Sequence, residues 1–323
     1  MDLQDVKNLV TATAPLHDIK VQSSAISAHV TPHKRIYIVQ KHGENRMNLH
    51  IGAERQLYQK IGYPQSERFT SKIAWETMDR IIDELYSATY KNDKELLIRA
   101  DKENDTVVAF LSNRYNPYDN RDLLTNVEIG LCDVAWNQEI HDPYVNDYKC
   151  LFKVIFPEHS VTDSETELNL TPGLFISNDE TGNGAVYCSQ VISLTYGEKP
   201  LYFSNVKHIS AQRTCHTSKY VDAANAVVKS CETLPKFARE FIATIHDAQS
   251  RKLNFTELSE LYEYIGKTLV RKDEVRNILS LWDNQNRSLW TLGLAISRAA
   301  YDYNPLRRAE LEKLATQILV RKY

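Results

Sequence analysis

The chain has 323 residues, of which 42% are hydrophobic and 25% are charged, and its formal net charge is −3. A chain of this length and composition can bury a substantial core in one large domain or two, which excludes extensive disorder. The slightly acidic balance gives no support to the strongly basic class of nucleic-acid-binding proteins, although basic side chains are frequent between residues 251 and 320.

Strand patterns dominate the first two thirds of the chain. Residues 1–32 mix short apolar pieces with prolines and predict a strand or short helix lying on the main body, whereas residues 66–90 carry apolar side chains at helical spacing. The polar segment 101–105 separates two apolar runs and predicts a hairpin turn. Runs rich in β-branched and aromatic residues predict strands over 34–41, 95–100, 106–111, 149–157 and 171–208.

From about residue 219 onward, apolar residues recur at the spacing of an amphipathic helix. Pro235 is expected near the start or at a kink of its helix, and Pro305 fits the first turn of the last helix. The predicted fold class is therefore α+β, with a mixed, mostly antiparallel sheet domain over 1–215 and a helical region over 216–323 packed on it. The predicted helices cover 219–249, 255–266, 272–283, 288–302 and 306–321.

The cysteines and the N-terminus favour a cytoplasmic protein. The five cysteines are odd in number and widely spaced, which is typical of free thiols in a reducing compartment. The first residues lack the basic and apolar regions of a signal peptide. No segment approaches the roughly 20 apolar residues that span a bilayer, so we expect a soluble protein with no membrane partner.

Three blocks of the sequence resemble a known family. They are Phe-Leu-Ser-Asn-Arg-Tyr-Asn-Pro-Tyr-Asp-Asn-Arg-Asp-Leu-Leu at 110–124, Pro-Gly-Leu-Phe-Ile-Ser-Asn-Asp-Glu-Thr-Gly-Asn-Gly-Ala at 172–185, and Ser-Leu-Trp-Thr-Leu-Gly-Leu-Ala-Ile-Ser-Arg-Ala-Ala at 288–300. Their content and order resemble the phage/plasmid-like protein family known as domain of unknown function 932. The chain departs from the family pattern at Asn113, at 294–297, and in lacking a recognisable Cys-x-Asn-Gly stretch.

The resemblance implies an accessory role in the DNA metabolism of a mobile genetic element and supplies no established reaction. The sequence contains no recognisable nucleotide-binding loop, so no cofactor is expected. Single-stranded DNA is the expected partner, bound without catalysis by a protein that forms homo-oligomers of a ring-forming or annealing type. Aromatic residues beside basic ones suit such a ligand, because bases stack on aromatic rings while cations contact phosphates. A protein-binding anti-defence or host-takeover factor, acting on a host or phage protein, is the alternative.

The candidate nucleic-acid contacts lie mainly in two turns that follow strands. A structural interpretation of the first turn is preferred to a binding role, because Asp119 or Asn120 could cap the helix that follows. Gly182 and Gly184 similarly suit a tight hairpin in the second turn. The candidate contact residues are Arg114, Tyr115, Tyr118, Asn120, Asn178 and, in a C-terminal helix, Arg298.

Two metal sites are conceivable from the residue types. Asp119, Asp122, Asp179 and Glu180 could hold Mg²⁺ through oxygen ligands, which would make the protein a divalent-metal-dependent nuclease. A zinc site would need Cys188, His208, Cys215 and His216, whose spacing matches no standard ligand pattern. Trp282 and Trp290 repeat at helical spacing with leucines and are interpreted as core residues.

Overall fold

The computed structural model describes most of the chain. The described residues are 2–13, 15–40, 45–64, 72–146, 148–183, 186–196, 199–204, 212–214, 222–253, 256, 260, 263–266, 271–282 and 286–320. Strands occupy the N-terminal and central parts and helices the C-terminal part, which confirms the predicted α+β class. Among these residues, no helix combines the length and the apolar character needed to cross a bilayer.

The N-terminal part is built from two small antiparallel sheets and two helices. The sheets have the orders β1-β5-β6 and β2-β3-β4. Side chains from both sheets and both helices share one core, which includes Ile38, Leu57, Ile82 and Phe110. The elements are β1 (Leu16–Gln22), β2 (Ile26–Val30), β3 (Ile36–Gln40), β4 (Arg46–Asn48), α2 (Ile51–Ile61), α3 (Trp75–Thr89), β5 (Glu95–Asp101) and β6 (Val107–Ser112), after helix α1 (Leu3–Thr11).

The central part is a larger antiparallel sheet. Its main strand order is β12-β11-β10-β8-β7, with two short strands, β9 and β13, paired to β10 and β11. Helix α4 (Asn120–Val134) leads into it. The strands are β7 (Glu139–Asn146), β8 (Lys149–Ile155), β9 (Val161–Thr162), β10 (Asn169–Asp179), β11 (Val186–Tyr196), β12 (Lys199–Ser204) and β13 (Gln212–Thr214).

The C-terminal helices share the core of the central sheet. Helix α5 (Ala223–Ser250) packs on β10, β11 and α4, and Trp290 stacks on Phe203 of β12 with ring centroids 5.9 Å apart. Trp282 and Trp290 are both 5% exposed, which confirms their prediction as core residues. The remaining helices are α6 (Lys272–Leu281), α7 (Leu289–Ala299) and α8 (Pro305–Leu319).

The prolines and one predicted helix give mixed outcomes. Pro305 occupies the first turn of α8, as predicted. Pro235 was expected near the start or at a kink of its helix, but it lies well inside α5, and the helix continues past it although proline has no backbone N–H to donate. Most of the helix predicted over 255–266 lies outside the described residues. The predicted boundary at residue 215 falls between β13 and α5.

The large sheet is strongly curved. Strands β7 and β12 lie at opposite ends of its main path, so in a flat sheet His141 and Tyr202 would be about 19 Å apart. Their side chains instead form a hydrogen bond of 2.6 Å between the Tyr202 hydroxyl and His141 Nδ1. A register shift between His141 and Tyr144 bends β7, and Gly173 lets β8 approach closely, since a Cβ there would lie 2.4 Å from the Val154 oxygen. The sheet therefore has a concave face onto which side chains from both end strands project.

Candidate functional site

The two turns singled out in the sequence lie against each other. The first turn joins β6 to α4, and the second follows β10. Asn178 Nδ2 donates to the Tyr118 carbonyl oxygen at 2.9 Å and to Asn120 Oδ1 at 3.0 Å. Residues 112–122 and 177–183 thus form a single structural unit, although some 60 residues of chain separate them.

Helix α4 is capped by the second turn rather than by its own N-cap side chain. Asp119 is the N-cap residue, but its carboxylate makes no capping bond. The Asn120 backbone N–H instead donates to Glu180 Oε1 at 2.5 Å. Asp119 thus occupies the predicted N-cap position, but neither predicted side chain makes the capping bond, because Arg99 engages the Asp119 carboxylate and the Asn120 side chain accepts from Asn178.

Arg99 is the centre of this unit. Its side chain is only 1% exposed and projects from the middle of β5. Nε donates to Asp18 Oδ1 at 2.8 Å, Nη1 donates to the Glu180 backbone oxygen at 2.9 Å, and Nη2 donates to Asp119. We call Asp18, Arg99, Asp119 and Glu180 the Arg99 cluster; it ties β1, β5 and both turns together.

The tip of the second turn is held by the N-terminal part. Gln56 of α2 donates to the Thr181 oxygen at 2.7 Å and accepts from the Phe110 N–H at 2.8 Å. Gly182 has a φ of 75°, which favours glycine, and a Cβ there would lie 2.8 Å from Leu111 and 2.9 Å from the Tyr115 ring. Glycine is therefore required at this position both by backbone conformation and by space.

Negative charge is in excess around Glu180. The cations Arg99 and Lys149 face four carboxylates, those of Asp18, Asp119, Asp179 and Glu180, and Lys149 Nζ lies 3.0 Å from Asp179 Oδ2. Burial, assisted by the nearby Asp119 and Asp179, raises the pKa of Glu180 to about 7, against the opposing effects of the Asn120 N–H and Arg99. Glu180 can therefore change its charge near neutral pH.

The candidate nucleic-acid contacts differ in exposure. Tyr118, Asn120 and Asn178 are 8%, 1% and 3% exposed, and all three take part in the hydrogen bonds between the turns. Tyr115 is half-buried, and its hydroxyl donates to the Glu180 backbone oxygen at 3.4 Å. Arg114 is exposed. The structure thus brings five of the six candidates together, but it presents only Arg114 fully to a ligand.

The sixth candidate, Arg298, is half-buried in the last turn of α7, a helix that packs on α5, α6, α8 and β12. It lies among the C-terminal helices, so it is not part of the unit formed by the two turns. A nucleic-acid contact by Arg298 would therefore belong to a separate surface.

The residues proposed as metal ligands are engaged with protein groups or dispersed. Asp119 is bound by Arg99 and Asp179 by Lys149, while Asp122 is exposed on α4. Within the described ranges, no group of three or more His, Cys, Asp or Glu side chains is arranged to hold a metal ion. Of the residues considered for zinc, Cys188 is buried beside Ser230, and His208, Cys215 and His216 lie outside the described residues.

A second buried charge cluster lies on the concave face of the large sheet. Lys153 of β8 is 2% exposed, and its Nζ donates to Asp142 at 2.7 Å and to Glu312 at 2.9 Å. Arg308 of α8 donates to the same two carboxylates, at 2.8 Å and 3.0 Å. We call Asp142, Lys153, Arg308 and Glu312 the Lys153 cluster; it attaches α8 to the sheet with two cations and two carboxylates.

The Lys153 cluster was not found by sequence reasoning, although one signal was present. Lys153 stands in the apolar strand Cys-Leu-Phe-Lys-Val-Ile-Phe, where a charge must find a partner if the strand is buried. The same cluster fixes Tyr202, because Lys153 Nζ lies 3.8 Å from the centroid of its ring. Tyr202 in turn holds His141, which connects the cluster to the edge strand β7.

Comparison with known proteins gives no assignment: no family model matches the chain, and no significantly similar protein was found among curated proteins or solved structures. The resemblance to the phage/plasmid-like family therefore stays a prediction, and the function has to be argued from the geometry.

Proposed function

We propose that this protein binds single-stranded DNA without catalysis, as an accessory factor of a phage or plasmid, and that the loop between β6 and α4 contacts the strand. The exposed guanidinium of Arg114, on a loop fixed by buried hydrogen bonds, is the observation that carries the proposal. The mobile-element context rests on the family resemblance alone.

The loop is anchored along its second half. Asn178 holds the Tyr118 carbonyl, Arg99 holds Asp119, and Glu180 holds the first N–H of α4. A loop held in this way loses little conformational entropy when it binds, so its contacts contribute more of their energy to affinity. The burial of Tyr118, Asn120 and Asn178 thus gives these residues a positioning role instead of the direct contact expected of them.

The chemistry of the loop suits a single strand better than a duplex. Arg114 can contact a phosphate, and the half-buried ring of Tyr115 beside it offers an aromatic surface for a base. Bases are accessible for stacking in a single strand and paired within a duplex. Because the whole chain carries a net charge of −3, we expect modest affinity that falls steeply with salt.

The test is a fluorescence-anisotropy titration of a labelled oligothymidine at two salt concentrations. Arg114→Ala should weaken binding about tenfold, as expected for loss of one charge-assisted contact, and should reduce the salt slope by about 0.7. Arg121→Ala is the matched control, because Arg121 is an exposed arginine on α4 and its removal changes the net charge equally. A duplex of the same length should bind more weakly than the single strand.

Three results would overturn the proposal. The first is absence of binding by the wild-type protein at low salt, after which a protein-binding role would become the hypothesis to test. The second is an equal loss in the Arg114 and Arg121 variants, since only net charge would then matter. The third is Mg²⁺-dependent cleavage of the oligonucleotide, which would indicate the nuclease alternative.

A further inference from the structure

A polar cleft of about 380 Å³ opens beside the concave face of the large sheet. Its lining comes from β7, β8, β10, β11 and β12 and from the segment that follows β8, so the curvature of the sheet assembles the cleft. Most of the side chains that form it are polar, among them Glu139, His141, Ser160, Thr171, Thr195 and Lys199. The cleft involves none of the residues of the two turns.

The side chains in the cleft favour an anionic, hydroxyl-bearing ligand. Lys199 is exposed, and no carboxylate of the described residues forms an ion pair with it. Among the described residues, Glu139 is the acid of the lining, and it accepts a hydrogen bond from His141 Nε2 at 3.0 Å. The Ser160 hydroxyl donates to the Pro157 carbonyl oxygen at 2.8 Å and lies 2.8 Å from the Thr171 hydroxyl, which leaves the Thr171 O–H as the donor of this pair for a ligand. Lys199 Nζ lies 5.1 Å from the centroid of the Tyr301 ring, so this lysine has an aromatic neighbour but no ion pair within the described residues, and its ammonium can contact an anionic ligand.

The walls of the cleft are fixed from behind by buried groups. His141 Nδ1 is bonded to the Tyr202 hydroxyl, and the Tyr202 ring packs against Lys153. On the other wall, the Tyr301 hydroxyl donates to the Pro200 carbonyl oxygen, and Arg308 lies 3.7 Å from the centroid of the Tyr301 ring. A cleft held by such contacts is largely pre-formed, which is typical of small-molecule sites.

We infer that this cleft binds the phosphate and sugar of a single nucleotide, with Lys199 on the phosphate and the Ser160–Thr171 pair on oxygen atoms of the ligand. The volume lies within the range of pockets that hold ligands of this size. Lysine is a common phosphate-binding residue, and hydroxyl groups complete such sites. The site is separate from the Arg114 loop and does not require the proposed function to be correct.

The ligand could be a free nucleotide or the phosphorylated end of a strand. Isothermal titration calorimetry with thymidine 5′-monophosphate, thymidine and inorganic phosphate tests the chemistry. We expect the monophosphate to bind at least about tenfold more tightly than thymidine, because the charge-assisted contact needs the phosphate. A 5′-phosphorylated oligothymidine compared with its 5′-hydroxyl counterpart distinguishes the two sources.

Variants locate the site. Lys199→Ala should weaken binding of the monophosphate about tenfold, and Thr171→Val should weaken it by a smaller factor. Lys20→Ala, an exposed lysine of β1 in a different sheet, removes the same charge and should leave binding unchanged. Arg114→Ala should also leave binding of the monophosphate unchanged, which separates this inference from the proposed function. Melting curves establish that each variant is folded.

Equal affinity for thymidine and its monophosphate would overturn the inference, as would wild-type affinity in the Lys199 variant. Undetectable binding of the monophosphate at millimolar concentration would do the same. If Lys199→Ala and Lys20→Ala weaken binding equally, the loss of affinity is caused by the change in net charge, and the cleft is not the binding site.

Discussion

The two buried charge clusters are built alike but balanced differently. Each has a cation from the middle of a strand, Arg99 in β5 and Lys153 in β8, and each cation is at most 2% exposed. In the Lys153 cluster, Lys153 and Arg308 act against the rise that burial causes in the pKa of Glu312. Around Arg99, nearby carboxylates add to the effect of burial on Glu180. The pKa of Glu312 is raised as well, with Asp142 adding to the effect of burial, so the two sites differ in their cations: Glu312 faces Lys153 and Arg308, whereas Glu180 faces Arg99 beside Asp119 and Asp179.

The largest expected effect comes from removing the central cations. Arg99→Met should lower the free energy of unfolding by roughly 2–4 kcal/mol, because it leaves the buried Glu180 carbonyl oxygen without its donor and removes the ion pairs with Asp18 and Asp119. Lys153→Met should cost less, since Arg308 still contacts both Asp142 and Glu312. Urea denaturation at pH 7 measures both values. A greater loss in the Lys153 variant would mean that charge balance does not distinguish the clusters.

The pH dependence of stability gives a sharper test of the difference. The folded-state pKa of Glu180 is raised, so its favourable contribution is fully present below pH 4.5 and is lost as the pH rises through about 7. Glu180→Gln keeps an oxygen acceptor for the Asn120 N–H but cannot ionise. We expect the variant to match the wild type at pH 4 and to exceed its stability by up to roughly 3 kcal/mol at pH 8.5.

Urea denaturation across this pH range is the measurement, and Glu312→Gln is the contrasting variant. Because Glu312 faces Lys153 and Arg308, its replacement should destabilise the protein at both pH values. Parallel stability curves for the wild type and Glu180→Gln would contradict the assigned titration of Glu180.

Gly182 offers a test of how tightly the second turn packs on the first. Gly182→Ala should destabilise the protein by about 1–3 kcal/mol, since it combines a positive φ with contacts to Leu111 and Tyr115. Gly62→Ala is the matched control, because Gly62 has a similar φ of 71° with nothing within 4 Å of the added Cβ. The excess cost at Gly182, measured by thermal or urea denaturation, reports the packing alone; equal costs would show that the two turns are not tightly packed.

The partly exposed ion pair of His246 and Asp163 should show the smallest effect. His246 of α5 donates to Asp163 at 2.7 Å, and this hydrogen bond raises the pKa of the imidazole. Its contribution is present below pH 6.5 and is lost as the pH rises through the raised value. His246→Ala should therefore lower the melting temperature slightly at pH 5.5, with a smaller difference at pH 9. A loss that grows with pH would have the wrong sign.

Local patterns in the sequence predicted the elements around both clusters but not their partners. The β5–β6 hairpin and helix α4 follow from apolar period and turn chemistry, because each is determined by neighbouring residues. Arg99 pairs with Asp18 across 81 positions, and Lys153 pairs with Glu312 across 159. Such pairs depend on how sheets and helices pack, which no local pattern specifies.

In the candidate site, too, local segments were predictable from the sequence and the contacts between distant segments were not. Turn chemistry located both functional-looking segments, and the structure places them side by side. Turn chemistry could not predict that Glu180 would cap α4. It also could not predict that Tyr118, Asn120 and Asn178 would be buried, because the exposure of these side chains depends on the contact between the two turns. The cleft at β7 and β12 also escaped detection, since its residues converge only through the curvature of the sheet.

The most direct test of the central claim is photocrosslinking of the protein to a single-stranded oligonucleotide that contains 4-thiothymidine, followed by peptide mass spectrometry. The proposed contact by the Arg114 loop predicts salt-sensitive adducts in residues 113–118, which Arg114→Ala reduces and Arg121→Ala leaves intact. Adducts confined to other segments, or adducts that do not respond to salt and to Arg114→Ala, would contradict it.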